Sequence, residues 1–239
     1  MTYIDQTPAP KKVYFDAFAE KYDVFIRDLD NVYRPWLEKA LPASGGRTVD
    51  LGCGNGWFEN LLAERYQEVL AVDLAERQIE IAKSRRSYPN VDYQVRSLLD
   101  VKPEQDGVFD LVLSINTLHC LRDYERALSH IRRLIAPGGR LLTIEIVKTG
   151  DDTSLQWNVD EAFRDARDSY ENRSRDADVA GTVLALRLDP AWLEHVMTNV
   201  KLPREELERH YRQAFAGVEA DHGFSAFASA FLWEAPLEA

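Results

Sequence analysis

The chain has 239 residues, room for one large domain or a domain with an inserted cap, and its 45% hydrophobic content is enough for a full core. Lys and Arg number 29 against 40 Asp and Glu, a net charge of −11, which argues against nucleic acid as a partner, because such proteins carry a basic face that neutralises phosphates. Two cysteines, Cys53 and Cys120, form neither a disulfide framework nor a C-x-x-C metal motif; with no long apolar run and a polar 1–12 segment unlike a signal peptide, a cytoplasmic protein without membrane association is expected.

Residues 13–27 read as a helix whose Phe15, Phe18, Tyr22 and Phe25 fall on one stripe at helical spacing. A second helix is expected over 33–40, and a turn over 42–47 leads into the first strand. That strand runs through Thr48-Val49-Asp50-Leu51 into Gly52-Cys53-Gly54-Asn55-Gly56. A helix over 57–66 precedes a second strand, 69–72, which ends in Asp73. Residues 76–87 are helical until Pro89-Asn90 stops them. The third strand is 91–95. The nearly continuous apolar run at 109–115 suits a strand buried on both faces. A helix over 123–135 ends in Ala136-Pro137-Gly138-Gly139, and 141–147 is the fifth strand. Alternation of strands and helices from 48 to 147 implies a parallel sheet with helices on both faces. Residues 151–188 are highly charged and helical, without a clear strand. Asp189-Pro190 and Pro203 open helices over 190–199 and 203–216, Gly217 ends the second, and strands over 217–222 and 226–233 follow.

A strand, a glycine-rich turn, a helix and a strand ending in an acid make a site for an adenosine-containing cofactor. The glycines let backbone approach the ligand, and the acid accepts hydrogen bonds from ribose hydroxyls. Dinucleotide binders use G-x-G-x-x-G, whose third glycine allows close helix packing. Here the glycines fall at 52, 54 and 56, and Trp57 stands where that third glycine belongs. The spacing favours a cofactor without a pyrophosphate.

Asp50-Leu51-Gly52-Cys53-Gly54-Asn55-Gly56 resembles motif I of the class I S-adenosylmethionine-dependent methyltransferases. Phe109 to His119 looks like that family's fourth strand and the loop after it. Leu134-Ile135-Ala136-Pro137-Gly138-Gly139-Arg140-Leu141 looks like its turn into strand five, and Phe15 to Asp23 like the lid helix of its small-molecule members. The resemblance spans about 13–147. It implies an α/β, Rossmann-like, doubly wound, mostly parallel seven-stranded sheet. Lid helices would occupy 1–44, the binding core 45–149, a helical cap 150–215, and strands completing the sheet 216–239. The implied cofactor is S-adenosylmethionine, with S-adenosylhomocysteine as product. By the same resemblance, the backbone of Gly52, Cys53, Gly54 and Asn55 meets the methionyl end, and Asp50 orients its ammonium. Asp73 holds the ribose, Leu74 and Leu98 sandwich the adenine, and Ser114 lines the pocket near the amino acid part. Family members usually carry an acid after strand three for the adenine amino group. Arg96-Ser97-Leu98 lacks it, leaving Ser97 at the adenine edge.

Methyl transfer is a displacement at a carbon already activated by a sulfonium, so the protein positions, desolvates and, for an oxygen nucleophile, deprotonates. Aromatic faces stabilise a cation; Tyr14, Tyr22 and Trp57 are the candidates, with core packing the competing role of Tyr22 and Trp57. His119, after strand four at the ligand-binding end of such sheets, is the candidate general base. His195, His210 and His222 read as structural or exposed. Glu145, an acid in an apolar strand, either faces the pocket to bind an amine or pairs with an arginine. No Asn-Pro-Pro-aromatic motif follows strand four, which argues against methylation of adenine or glutamine amino groups. No acid stands where metal-dependent catechol enzymes place one, so no metal is expected. The 150–215 segment, with Trp157, Phe163, Tyr170 and Trp192, is either a lid over an aromatic or amphipathic molecule or a surface for a homodimer. The expected activity is methylation of oxygen or nitrogen on a small, biosynthetic acceptor. An RNA or protein acceptor, or retention of the cofactor without methylation, are the competing readings.

Overall fold

The computed structural model describes residues 11–121, 123–199 and 201–237. Seven strands share one sheet: β1 (Gly45–Leu51), β2 (Tyr66–Asp73), β3 (Val91–Val95), β4 (Phe109–Ile115), β5 (Ile135–Ile146), β6 (Glu219–Asp221) and β7 (Ala228–Glu234). Their order is β3-β2-β1-β4-β5-β7-β6. The first five pair in parallel, and β7 runs antiparallel to both β5 and β6. The order reverses between β1 and β4. In an open α/β sheet, ligands bind beside such a switch point, at the carboxyl ends of the strands.

Side-chain alternation divides the core in two. Leu111, Leu113, Leu142 and Ile144 enter one cluster, while Val112, Leu141 and Phe231 enter the other. The first face is covered by α2 (Ala19–Asp28), α3 (Asp30–Ala40), α4 (Glu59–Ala63), α9 (Ala177–Arg187) and α10 (Pro190–Thr198), with α5 (Glu76–Arg85) at its β2–β3 edge. The second is covered by α7 (Tyr124–Leu134) and α11 (Arg204–Ala214), through Leu128, Ile131, Leu207 and Tyr211. Short α6 (Pro103–Asp106) leads into β4, and α8 (Leu155–Asp168) continues into a π-type turn, Ser169–Arg173, before α9.

Four boundaries differ from the sequence reading. The helix expected over 13–27 is two helices, α1 (Lys11–Ala17) and α2, broken at Phe18, whose ring is driven into the core. The next helix starts at Asp30 rather than 33, on a polar first turn that carries no apolar periodicity. The helix after the glycine loop is short because Gly56 holds a positive φ of 73° and Tyr66 already belongs to β2. β5 begins at Ile135, which pairs with Phe109 across a register shift, so Ala136-Pro137-Gly138-Gly139 is an irregular strand rather than a turn. The start of α10 matches its signal: Asp189 caps it by accepting from the Ala191 N–H, with Pro190 at the first position. Among the described residues, no helix is long and apolar enough to cross a membrane.

Candidate active site

The carboxyl ends of β1 to β4 enclose a cleft of about 140 Å³. Its shape comes from the glycine loop. Gly52 and Gly54 take φ of 87° and 54°, conformations that side chains rarely adopt, and a Cβ on Gly52 would strike Thr117. The N–H groups of Gly52 and Cys53 both donate to the Val72 carbonyl, at 2.8 and 3.0 Å. The Gly54 N–H donates to Asp73 Oδ2 at 2.9 Å, and the Ala75 N–H to Asp73 Oδ1 at 2.8 Å. Asp73 is therefore fixed by two backbone donors, with lone pairs remaining on both oxygens; burial still raises its pKa. Leu74 is 48% exposed and lines the cleft together with Leu98 and Ser97. The Ser97 hydroxyl accepts from the Leu99 N–H, and Arg96 lies beside it, held by Asp106 at 2.6 Å.

Asp50, Cys53 and Asn55 line a smaller pocket, of about 40 Å³, that shares Tyr22, Gly52, Gly54 and Asn116 with the cleft; Ser114 and Tyr14 lie elsewhere. Ser114 is fully buried and donates to the Leu51 carbonyl at 2.9 Å, pointing away from the cleft into the sheet. Tyr14 packs its ring 6.1 Å from that of His195 and is not among the cleft's lining residues; its neighbour Phe15 is. Asn55 turns inward, donating to Asp23 Oδ1 at 3.0 Å. Trp57 is pinned between the Arg86 guanidinium, 4.6 Å over its ring, and Asp30, which accepts from its indole N–H at 2.7 Å. That is the packing alternative. Asp50 is buried beneath the loop, as is Glu59, and loss of solvent raises both pKa values.

A second cavity, of about 280 Å³, opens beyond the cleft under the cap. Phe15, Tyr33, Trp157 and Trp192 supply apolar wall, and Lys201 with Asp152 a charged rim. The cap is tied to the lid helices. Arg173 bonds buried Asp28 at 2.7 Å and half-buried Asp165 at 2.6 Å, and Lys21 reaches Asp189 at 2.6 Å. Trp192 packs among Phe18, Tyr22 and Phe25. Phe15, Tyr22 and Asn116 line cleft and cavity alike. Asn116 adopts a left-handed φ of 52° and donates to the Tyr33 hydroxyl at 2.9 Å. Sequence reasoning gave no site role to it or to Glu59, and placed Phe15 only on the apolar stripe of the first helix. Only Glu59, an acid in the apolar segment after the loop, left a signal.

His119 faces this cavity and is 4% exposed. Its Nδ1 lies 3.9 Å from Glu145 Oε2. Among the described residues, His119 and no arginine stands within ion-pair distance of Glu145. Burial pushes its carboxyl up to about 8, against the lowering effect of the Leu118 and His119 N–H groups. His195 also lines the cavity, set edge-on to Phe15 at 4.7 Å. His210 stacks on Tyr124 and His222 bridges Glu208 and Ser229, both away from the cavity.

Residues 49–143 match the family model described as a methyltransferase domain. A ubiquinone biosynthesis O-methyltransferase of Xylella fastidiosa is 32% identical over 126 residues, 52% of this chain and 51% of that one. A homologue of the same name from Xanthomonas oryzae pv. oryzae is also 32% identical. The chain thus aligns with about half the length of the curated relatives it matches. Among solved structures, a Haemonchus contortus phosphoethanolamine N-methyltransferase superposes with a TM-score of 0.64 at 15% identity, over 95% of this chain and 60% of that one. The complex of DhpI with S-adenosylhomocysteine gives 0.58 at 17% identity, over 96% of each chain. Residues 49–143 thus match a methyltransferase domain, and the chain as a whole shares the fold of solved S-adenosylmethionine-dependent methyltransferases.

Proposed function

We propose that this chain transfers a methyl group from S-adenosylmethionine to an oxygen or nitrogen of a small-molecule acceptor, leaving S-adenosylhomocysteine. The observation that carries the reading is the shared wall. A cleft at the strand ends and an aromatic-lined cavity meet at Phe15, Tyr22 and Asn116, as a donor and an acceptor that react across one contact require. The cleft fits the donor chemically. Leu74 exposes apolar surface beside Leu98, suited to a purine, and Asp73 keeps acceptor capacity for ribose hydroxyls. The donor supplies a methyl carbon activated by its sulfonium. Tyr22, kept neutral by burial, offers an aromatic face to a cation at this junction.

The loop plays a different part from the one its glycines suggest. The N–H groups of residues 52–54 are engaged by Val72 and Asp73, so the loop meets a ligand by close approach of its backbone, and those N–H groups hold its shape. In the cavity, His119 stands where an acceptor hydroxyl can give up its proton, with Glu145 behind its other nitrogen. The ring-lined wall favours an aromatic or amphipathic acceptor beneath the 150–215 cap. Oxygen is favoured over nitrogen by the relatives' name, and that name also supports a biosynthetic role.

The test incubates the purified chain with the donor and a panel of phenols and amines. Equimolar S-adenosylhomocysteine and methylated product, measured by mass spectrometry, are expected. Donor binding with no product across the panel would favour retention of the cofactor without methylation. No calorimetric binding of S-adenosylhomocysteine would end the reading.

A further inference from the structure

The geometry points to a zinc-class metal site formed by His119, Cys120 and His195, at the boundary of cleft and cavity. The 3₁₀ turn Leu118–Cys120 brings the first two, and α10 brings the third from 75 residues further along the chain. One donor atom from each lies within 4.8 Å of the others. His119 Nε2 and Cys120 Sγ are 3.7 Å apart. Two ligands of one tetrahedral zinc stand about 3.5 Å apart, given Zn–N of about 2.0 Å and Zn–S of about 2.3 Å. Only a small inward movement of His195 is needed to complete the set.

The groups behind the ligands fit as well. Glu145 Oε2 stands behind His119 at Nδ1, 3.9 Å away, so the imidazole can direct Nε2 to an ion while its other nitrogen faces a carboxylate. The Asn199 amide lies 2.9 Å from His195 Nε2, and its Oδ1 is buried without a hydrogen-bond partner. Turning that amide over places the oxygen on an Nε2–H and directs Nδ1 towards the ion. A thiolate with two imidazoles selects zinc over magnesium or calcium. The expectation of no metal rested on a missing carboxylate after strand four and does not bear on this Cys–His set.

His119 and His195 line the cap cavity, and Cys120 lines the cleft. An ion among them has three protein ligands and a fourth position for an oxygen at the junction. With the ion bound, His119 is a ligand rather than a base, and the fourth ligand is an acceptor hydroxyl. That last assignment rests on the methyl-transfer reading; the binding of the ion does not.

The full chain, stripped with a chelator, is dialysed against zinc alone and its metal content measured. About one equivalent is expected, with cobalt in its place giving a thiolate-to-metal absorption band. Cys120→Ser and His195→Gln should each weaken zinc binding by about tenfold or more, with Cys53→Ser unchanged. His195 is buried in the aromatic cluster, so if its variant fails to fold, half-buried Cys120 decides. A chain that retains no zinc, or retains it equally in Cys120→Ser, overturns the site. If that chain still binds S-adenosylhomocysteine, the metal site alone has failed.

Discussion

The cofactor cleft and the cap cavity share three residues, yet they are assembled in different ways. Most of the cleft wall away from the N-terminal helices comes from the first few residues at or after a strand end: Gly52 and Gly54 after β1, Asp73 and Leu74 at the end of β2, Ser97 and Leu98 after β3, Asn116 and Thr117 after β4. The sheet itself registers these positions, because the paired strands end together. The cavity is built from helices α1, α2, α8 and α10, held by Arg173 to Asp28 and Lys21 to Asp189. Its geometry depends on long-range packing.

The comparison predicts that substitutions on the two sides fail differently. The largest effect is expected at the cavity. His119→Ala should lower turnover by about a hundredfold, whether the imidazole acts as base or as ligand. Because His119 lines the cavity and not the cleft, calorimetric affinity for S-adenosylhomocysteine should stay within about twofold. Loss of cofactor affinity would show that the two halves are not separable.

On the cleft side, Gly52→Ala forces a side chain into Thr117 at a φ of 87°. A cost of about 2 kcal/mol is expected, read as a fall in Tm of about 4–8 °C for a chain of this size, together with weakened cofactor binding. An unchanged Tm would mean that the loop is not shape-determined. Asp73→Ala keeps the fold more nearly intact. It removes the acceptors of the Gly54 and Ala75 N–H groups and the proposed ribose contact, so cofactor affinity should fall by about tenfold or more. Unchanged affinity would remove the ribose assignment.

The same contrast explains what could be read in advance. That Asp73, Leu74, Ser97 and Leu98 gather at one cleft was legible because a strand end and the loop after it are local features. Ser114 was misplaced because β4 is apolar on both faces, so composition does not tell which side a small polar residue takes. Tyr14 was exchanged for Phe15 because the break at Phe18 sets where α1 points, and no local pattern announced it. His195 reaches the site only through packing of α10 on α1, an arrangement with no sequence signature. Asn116 joins the two cavities through a left-handed turn that its side chain tolerates but does not demand.

The smallest effect sharpens the comparison beneath the glycine loop. Asp50 and Glu59 are both buried, and among the described residues neither has an ion-pair partner. Both carboxyls are raised chiefly by burial, so the folded chain keeps a proton that the unfolded chain gives up above the ordinary carboxylate range. Below that range both states are protonated and the pair leaves stability unchanged. As pH rises towards neutrality the unfolded state releases protons first, so stability falls, by up to about 1.4 kcal/mol per pH unit for one proton. Glu59→Gln removes one of the two raised carboxyls from the titration. Its urea midpoint should therefore change less between pH 5.5 and 7.5 than that of the unmodified chain, by about 1 kcal/mol in unfolding free energy. An equal slope in both proteins would mean that the loop rests on two charged carboxylates, and the firmness of the cleft would need another source.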